Sequence, residues 1–74
     1  MERSMEQQQH EEGLELFKRL IKDGCEWRGD IISKKWSEQL YIPQDHMDQV
    51  LVTVAEFSHD VYKLDVSLNT IWIA

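Results

Sequence analysis

The sequence has few of the residues that mark several common classes of protein. Its 74 residues include one cysteine, Cys25, so an intrachain disulfide is excluded and with it a secreted disulfide scaffold. No run approaches the roughly 18 apolar residues of a membrane span. The N-terminal residues MERSMEQQQHEE contain no apolar signal-peptide segment. We therefore expect an intracellular protein, cytoplasmic or nuclear, that does not enter a membrane.

Motifs for catalysis, metal binding and nucleotide binding are also lacking. The sequence contains no CxxC, HxxxH or calcium-loop spacing, and its three glycines form neither GxGxxG nor a P-loop. Asp45 and Asp48 are three residues apart, which fits a helix cap and first turn rather than a metal site. Nothing near Cys25 in the sequence supplies an oxyanion hole or an orienting acid, so we interpret it as a small buried hydrophobic residue. The sequence predicts a non-enzymatic protein without cofactor or metal.

Positive charge is scarce and unevenly placed in this chain of net charge −6. Residues 36–74 contain six acids and a single base, Lys63. Residues 17–35 contain six bases, namely Lys18, Arg19, Lys22, Arg28, Lys34 and Lys35. Because an acidic chain is repelled by phosphate, any contact with nucleic acid would have to use this central third. The alternative is that these cations are simply solvated on helix surfaces.

The N-terminal part of the chain predicts a leader and a first helix. Residues 1–10 are polar and predict a flexible leader, followed by one domain over residues 11–74. Apolar residues at helical spacing predict the first helix over residues 11–23, and Gly24 is suited to end it. The apolar stripe of that helix consists of Leu14, Phe17 and Ile21, and Leu16 and Leu20 widen it.

A connector and a second helix are predicted next. Residues 26–28 fit a short edge strand, and Asp30 is a good N-cap for a helix over residues 31–40. The apolar stripe of this helix would be Ile32, Trp36 and Leu40, at i, i+4 and i+8.

Pro43 ends one element and can open the next, so we predict a third helix from Gln44 or Asp45 to Phe57. The run from Val50 to Val54 is rich in β-branched residues, and a strand is the alternative. We favour a helix because the apolar residues do not alternate. They are Met47, Val50, Leu51, Val54 and Phe57.

From Val61 the apolar period changes to two, which predicts a strand. Leu68 and Asn69 predict a turn, and residues 70–73 predict the return strand. The alternating apolar residues of the first strand are Tyr62, Leu64, Val66 and Leu68.

The run Leu40-x-Ile42-Pro43, followed by Met47, Val50, Leu51 and Val54, resembles the turn and third helix of winged helix-turn-helix domains. In that resemblance the segment around Trp27 matches the small first strand, and residues 62–73 match the wing. The likeness covers residues 11–73. It implies an α+β fold, a small winged-helix-like domain with three helices followed by a C-terminal β-hairpin.

The resemblance also implies a binding role for the third helix, because DNA-binding members contact DNA through its exposed face. Here that face contains acids and no Lys or Arg. We therefore predict a non-catalytic protein-interaction module of an intracellular transcription or regulatory assembly. The residues predicted to contact the protein partner are Asp45, Asp48, Gln49, Glu56 and Trp72.

Two other functions remain open from the sequence. One is a DNA-binding transcriptional regulator that uses the six central cations, Lys18, Arg19, Lys22, Arg28, Lys34 and Lys35. The other is a small acidic inhibitor that mimics nucleic acid, with Asp45, Asp48, Glu56, Asp60 and Asp65 in place of phosphates. A monomer or a homodimer is expected.

Overall fold

The computed structural model describes residues 5–31, 33 and 35–74, with side chains from residue 11 onward. In chain order its elements are α1 (Met5–Lys22), β1 (Glu26–Asp30), β2 (Glu38–Tyr41), a 3₁₀ turn (Gln44–His46), α2 (Met47–Val54), β3 (Tyr62–Asp65), a second 3₁₀ turn (Val66–Leu68) and β4 (Thr70–Ile73). The four strands form one antiparallel sheet in the order β1-β2-β4-β3.

The predicted fold class is wrong in its second helix. The described residues contain two α-helices and a four-stranded antiparallel sheet, not three helices followed by a C-terminal hairpin. Glu38 to Leu40, the end of the predicted helix, lie instead in the strand β2, which pairs with β1 on one side and β4 on the other. Asp30 is the last residue of β1 and caps no helix. Ile32 and Lys34 lie outside the described residues.

The reason for this error is visible in the loop between β1 and β2. The Ser33 hydroxyl donates to the Trp36 carbonyl at 2.9 Å, and the Trp36 amide donates back to Ser33 Oγ at the same distance. Such local side-chain bonds to the backbone compete with helix formation. Pairing with two neighbouring strands then satisfies the backbone of β2 more completely than an isolated helix would.

The first predicted helix is confirmed, with a Schellman motif at its end, but its buried side consists of Leu16 and Leu20, while Leu14 and Ile21 of the predicted stripe are 49% and 42% exposed. The Cys25 amide donates to the Leu20 carbonyl at 2.9 Å, and the Gly24 amide donates to the Ile21 carbonyl at 3.1 Å. Gly24 has φ 100°, the left-handed conformation that this motif requires. The helix begins at Met5, inside the segment predicted as a leader, and the flexibility of that segment stays a prediction. Residues 1–4 lie outside the described part of the chain.

The helix after Pro43 and the antiparallel pairing of the two C-terminal strands are also confirmed, but the first of these strands ends at Asp65, and Val66–Leu68, predicted as its continuation, form a 3₁₀ turn. The chain enters through the 3₁₀ turn at Gln44–His46, and α2 ends at Val54, three residues before the predicted end. The alternative of a strand over Val50 to Val54 is therefore wrong. Between β3 and β4, Asn69 adopts φ 51°, as predicted for the turn.

Both helices pack on one face of the sheet, which gives the molecule two layers. One apolar cluster joins the inner sides of α1 and α2 to alternate residues of β2 and β4: Leu16, Leu20, Cys25, Leu40, Ile42, Met47, Val50, Val54, Val61, Ile71 and Ile73. The opposite face of the sheet, here called the outer face, is covered by neither helix. From the strand register and ring contacts it comprises Glu26, Arg28, Gln39, Tyr41, Lys63, Asp65, Thr70 and Trp72.

Gly13 is where α1 lies closest to the sheet. A Cβ atom at this position would collide with the Ala74 carbonyl oxygen and lie 3.3 Å from a methyl carbon of Ile73. Ala74 is itself held by its amide, which donates to the Val61 carbonyl at 2.8 Å. The absence of a side chain at Gly13 therefore allows α1 to pack directly on the end of β4, which outweighs the low helix propensity of glycine.

Candidate interaction surface

The solvent side of α2 carries the acids that the sequence singled out. Met47, Val50, Thr53 and Val54 are buried, so the residues between them point away from the core. Asp48, Gln49 and Val52 lie on this exposed side, and Asp45 precedes them, also exposed, in the 3₁₀ turn; we call these four residues the acidic face. Val52 is 64% exposed, and Leu51 at the edge of the face is 41% exposed.

The charges of the acidic face are not neutralised within the described part of the chain. Asp45 lies 3.9 Å from His46 Nε2, a contact that becomes an ion pair only when the imidazole is protonated. The Asp48 side chain forms no hydrogen bond or ion pair with the other described residues. The segment from Pro43 to Val61 contains no Lys or Arg. The face therefore combines uncompensated negative charge with exposed aliphatic surface.

Glu56, also predicted to contact a partner, is already engaged within the molecule. Its Oε2 accepts a hydrogen bond from Arg19 Nη2 at 2.9 Å, which joins the end of α2 to α1. This bond to Glu56 is the main reason that the pKa of the Arg19 guanidinium is raised. Arg19, predicted as a possible nucleic-acid contact, and Glu56, predicted as a protein contact, thus form an ion pair with each other.

A second bond holds α2 against α1. Thr53 is only 1% exposed, and its hydroxyl donates to Asp23 Oδ2 at 2.6 Å. Asp23 follows the last residue of α1, so this bond and the Arg19–Glu56 pair fasten the two helices along one side. The orientation of the acidic face is therefore set by α1.

Trp72 does not belong to the acidic face. It alternates with Ile71 and Ile73, which are buried in the core, so its side chain points to the outer face of the sheet. There it lies under Lys63, whose Nζ is 5.4 Å from the ring centroid. Because α2 packs on the other side of the sheet, Trp72 and the acidic face are on opposite sides of the molecule.

The predicted basic residues are distributed over several elements. Lys18 and Lys22 are exposed on α1, and Arg19 is paired with Glu56. Arg28 lies over the Tyr41 ring at 4.9 Å on the outer face. Lys35 lies over the Trp36 ring at 5.0 Å, in the loop between β1 and β2, and Lys34 lies outside the described residues. The described cations thus provide separate positive charges on α1, the outer face and this loop.

A groove beside α1 was missed from sequence. Leu14 and Phe17 form one wall, and Glu38 and Ile73 contribute to the other side of a cavity of about 110 Å³. Glu38 Oε2 also accepts a hydrogen bond from Trp27 Nε1 at 2.6 Å. The sequence indicated this groove only through the width of the α1 apolar stripe. Leu14 belongs to that stripe, yet its side chain is 49% exposed.

Cys25 is a buried free thiol, 6% exposed. Burial, with a smaller contribution from Asp23, raises the pKa of this thiol from 9.0 to about 11. We expect native protein at pH 8 to react with a thiol reagent far more slowly than urea-unfolded protein, because both access and thiolate are suppressed. Absorbance with a chromogenic disulfide measures this rate. Equal rates in the two states would contradict the assignment.

Within the described ranges, no group of three or more His, Cys, Asp or Glu side chains is arranged to hold a metal ion. Neither described helix has both the length and the apolar character needed to cross a bilayer. No protein-family model, curated protein or solved structure matches the chain.

Proposed function

We propose that this protein is a non-catalytic protein-interaction module that binds a basic segment of a partner polypeptide through the acidic face of α2. The observation that carries the proposal is the acidic face itself: Asp45 and Asp48 pair with no Lys or Arg among the described residues, and Val52 beside them is 64% exposed. Val52 and Leu51 beside two carboxylates give this side of the molecule both apolar and charged groups for contact with another molecule.

The charge of this face selects the class of partner. Duplex nucleic acid would bring phosphates against two carboxylates, and these like charges repel each other most strongly at low ionic strength. A polypeptide with Lys or Arg beside apolar residues would pair with Asp45 and Asp48 and cover Val52. Complementary charge of this kind accelerates association and rejects wrong partners, while the apolar contact supplies much of the affinity.

The proposal is tested by a pull-down with immobilised protein and nuclease-treated lysate of the cells that produce it. We expect wild-type protein to retain one or more basic proteins. The double variant Asp45→Lys with Asp48→Lys should lose at least about tenfold of that retention, since each reversal replaces attraction by repulsion. Val52→Ser should weaken retention without any change of charge.

A matched control separates the acidic face from overall charge. Asp30→Lys with Asp60→Lys also changes the net charge from −6 to −2, but both positions lie away from α2. This control should retain the same proteins as the wild type. Equal losses in the two double variants, or retention that disappears on nuclease treatment, would contradict the proposal.

A further inference from the structure

The outer face of the sheet has an ordered pattern of charge. At one level across the four strands lie Glu26, Tyr41, Thr70 and Asp65, which are successive partners in the register. We call this the acid-ended row, because its two ends are acids. The next row along the strands consists of Gln39, Trp72 and Lys63. Arg28 lies beside them at the β1 end, in the β-bulge where the pairing with β2 shifts between Trp27 and Gly29. We call this the base-ended row.

The two rows place a cation beside an acid at each edge of the sheet. At the β1 edge Arg28 Nη2 lies 3.3 Å from Glu26 Oε2, and both side chains are more than half exposed. At the β3 edge Lys63 leans over Trp72, while Asp65 accepts hydrogen bonds from Ser67 Oγ at 2.6 Å and from the Leu68 amide at 3.2 Å. Ser67 is the main reason that the pKa of Asp65 is lowered, so this acid is ionised.

The outer face is therefore electrically neutral in a chain of net charge −6. Its two cations, Arg28 and Lys63, are matched by Glu26 and Asp65. A polyanion or a polycation laid across it would meet as many repulsive as attractive charges. A surface that carries the two rows in exchanged positions would instead place an acid opposite a cation at both edges of the sheet.

We infer that the outer face binds a second copy of this chain, face to face, about a two-fold axis that runs between the two rows and parallel to them. A C2 interface requires a self-complementary surface. The rotation places the acid-ended row of each copy over the base-ended row of the other copy. Each strand then faces the same strand of the second copy.

The contacts that follow are favourable along the whole row. Lys63 faces Asp65 of the second copy, and Arg28 faces Glu26 of the second copy. Between them, Tyr41 lies opposite Gln39 of the second copy, and Trp72 lies over the position of Thr70, a small side chain that is only 8% exposed. Each contact occurs twice by symmetry. The partly buried Trp72 and Tyr41 rings then form the apolar centre of the interface, with ion pairs at its margins.

Additional apolar surface borders the outer face. Val66 and Leu68, in the 3₁₀ turn between β3 and β4, are 51% and 60% exposed. The turn lies on the outer side, because Leu68 contacts both Asp65 and Thr70: its amide donates to Asp65 Oδ1, and its carbonyl accepts from Thr70 Oγ1 at 2.8 Å. A second copy on the outer face would shield part of this turn from water.

The size of the face sets the expected affinity. The paired parts of the four strands span roughly 19 Å by 13 Å, an area of about 250 Å². This is well below the roughly 800 Å² per partner of a standard interface, so we expect a weak dimer with a dissociation constant in the high micromolar range.

The test is sedimentation velocity from micromolar to millimolar protein, with charge reversals at the exposed β1 edge. Glu26→Lys alone would put a lysine opposite Arg28 of the second copy, and Arg28→Glu alone would put a glutamate opposite Glu26 of the second copy. Each variant should dimerise at least about tenfold more weakly than the wild type. An equal mixture of the two variants should recover the wild-type dimer, because every pair across the mixed interface is then opposite in charge.

Trp72→Ser should abolish dimerisation, whereas Trp27→Ser is the matched control, since Trp27 is 54% exposed on the other side of the sheet. Circular dichroism of each variant verifies that it folds. A wild type that is monomeric at millimolar concentration would overturn the inference. So would single reversals that dimerise as well as the wild type, or a mixture that fails to recover the dimer.

This inference is independent of the proposed function. The acidic face lies on the opposite side of the molecule, so Asp45→Lys with Asp48→Lys should leave dimerisation unchanged. Loss of partner retention in that variant and loss of dimer in Trp72→Ser therefore report on different surfaces.

Discussion

Replacing Leu40 by alanine should lower the free energy of unfolding by about 3 kcal/mol. Leu40 is fully buried at the centre of the sheet, where β2 pairs with both β1 and β4. Truncation removes apolar contacts with the inner sides of both helices and leaves a cavity that the paired backbone of β2 cannot close. A domain of this size has a total stability on the order of 5 kcal/mol, so the loss is more than half of it.

Urea unfolding followed by circular dichroism measures this change. Leu14→Ala is the matched control, because the same atoms are removed from a side chain that is 49% exposed on α1. It should cost less than about 1 kcal/mol, since little of the side chain is transferred from the core and alanine favours the helix. Equal effects of the two substitutions would show that β2 is not at the centre of the core.

Replacing Gly24 by alanine should cost about 2 kcal/mol, through two separate causes. The first is backbone strain, because Gly24 has φ 100° in the Schellman motif that ends α1. The second is crowding, because the new Cβ would lie 3.1 Å from Cε1 of His46. His46 immediately precedes α2, so it can move away only by disturbing the start of that helix.

Gly29→Ala measures the cost of backbone strain without the crowding. Gly29 has φ 123° in the bulge of β1, and a Cβ there would have no neighbour within 4 Å. It should therefore cost only the strain, about 1 kcal/mol. Chemical unfolding of the two variants under identical conditions gives the difference. If the two costs are equal, the contact with His46 does not constrain the end of α1.

The elements that sequence predicted well are those defined by local signals. The end of α1 follows from Gly24, since only the residues immediately before it take part in the Schellman motif. The β3–β4 hairpin follows from period-two alternation and from Asn69, whose left-handed φ is a property of the turn itself. In each case the interactions that decide the conformation lie within a few residues of each other.

The second predicted helix failed because its conformation depends on distant residues. The spacing of Ile32, Trp36 and Leu40 fits a helix, yet Leu40 pairs with Ile71, which is 31 positions further along the chain. Periodicity in a short segment contains no information about such a partner. A four-residue strand such as β2 also offers too few alternations to be told from a helical turn by pattern alone.

The candidate interaction surface likewise has features that local sequence predicts and features that depend on distant residues. The acidic face could be identified from sequence, because α2 is amphipathic and the segment around it contains no cation. The pairing of Arg19 with Glu56 could not be identified, since it joins residues 37 positions apart. The separation of Trp72 from α2 also required the sheet, because only the register shows which side of β4 faces the helices.

The two bonds that fasten α2 to α1 have a consequence for any attempt to reduce this protein to a peptide. Helices shorter than about 12 residues are marginal in water on their own, and α2 has eight. Its regular geometry therefore depends on the packing of Met47, Val50 and Val54 in the core, to which the bonds from Thr53 to Asp23 and from Arg19 to Glu56 add. A synthetic fragment covering residues 43–57 would carry the same carboxylates without their fixed spacing, and it would lose on binding the conformational entropy that the intact chain has already lost in folding.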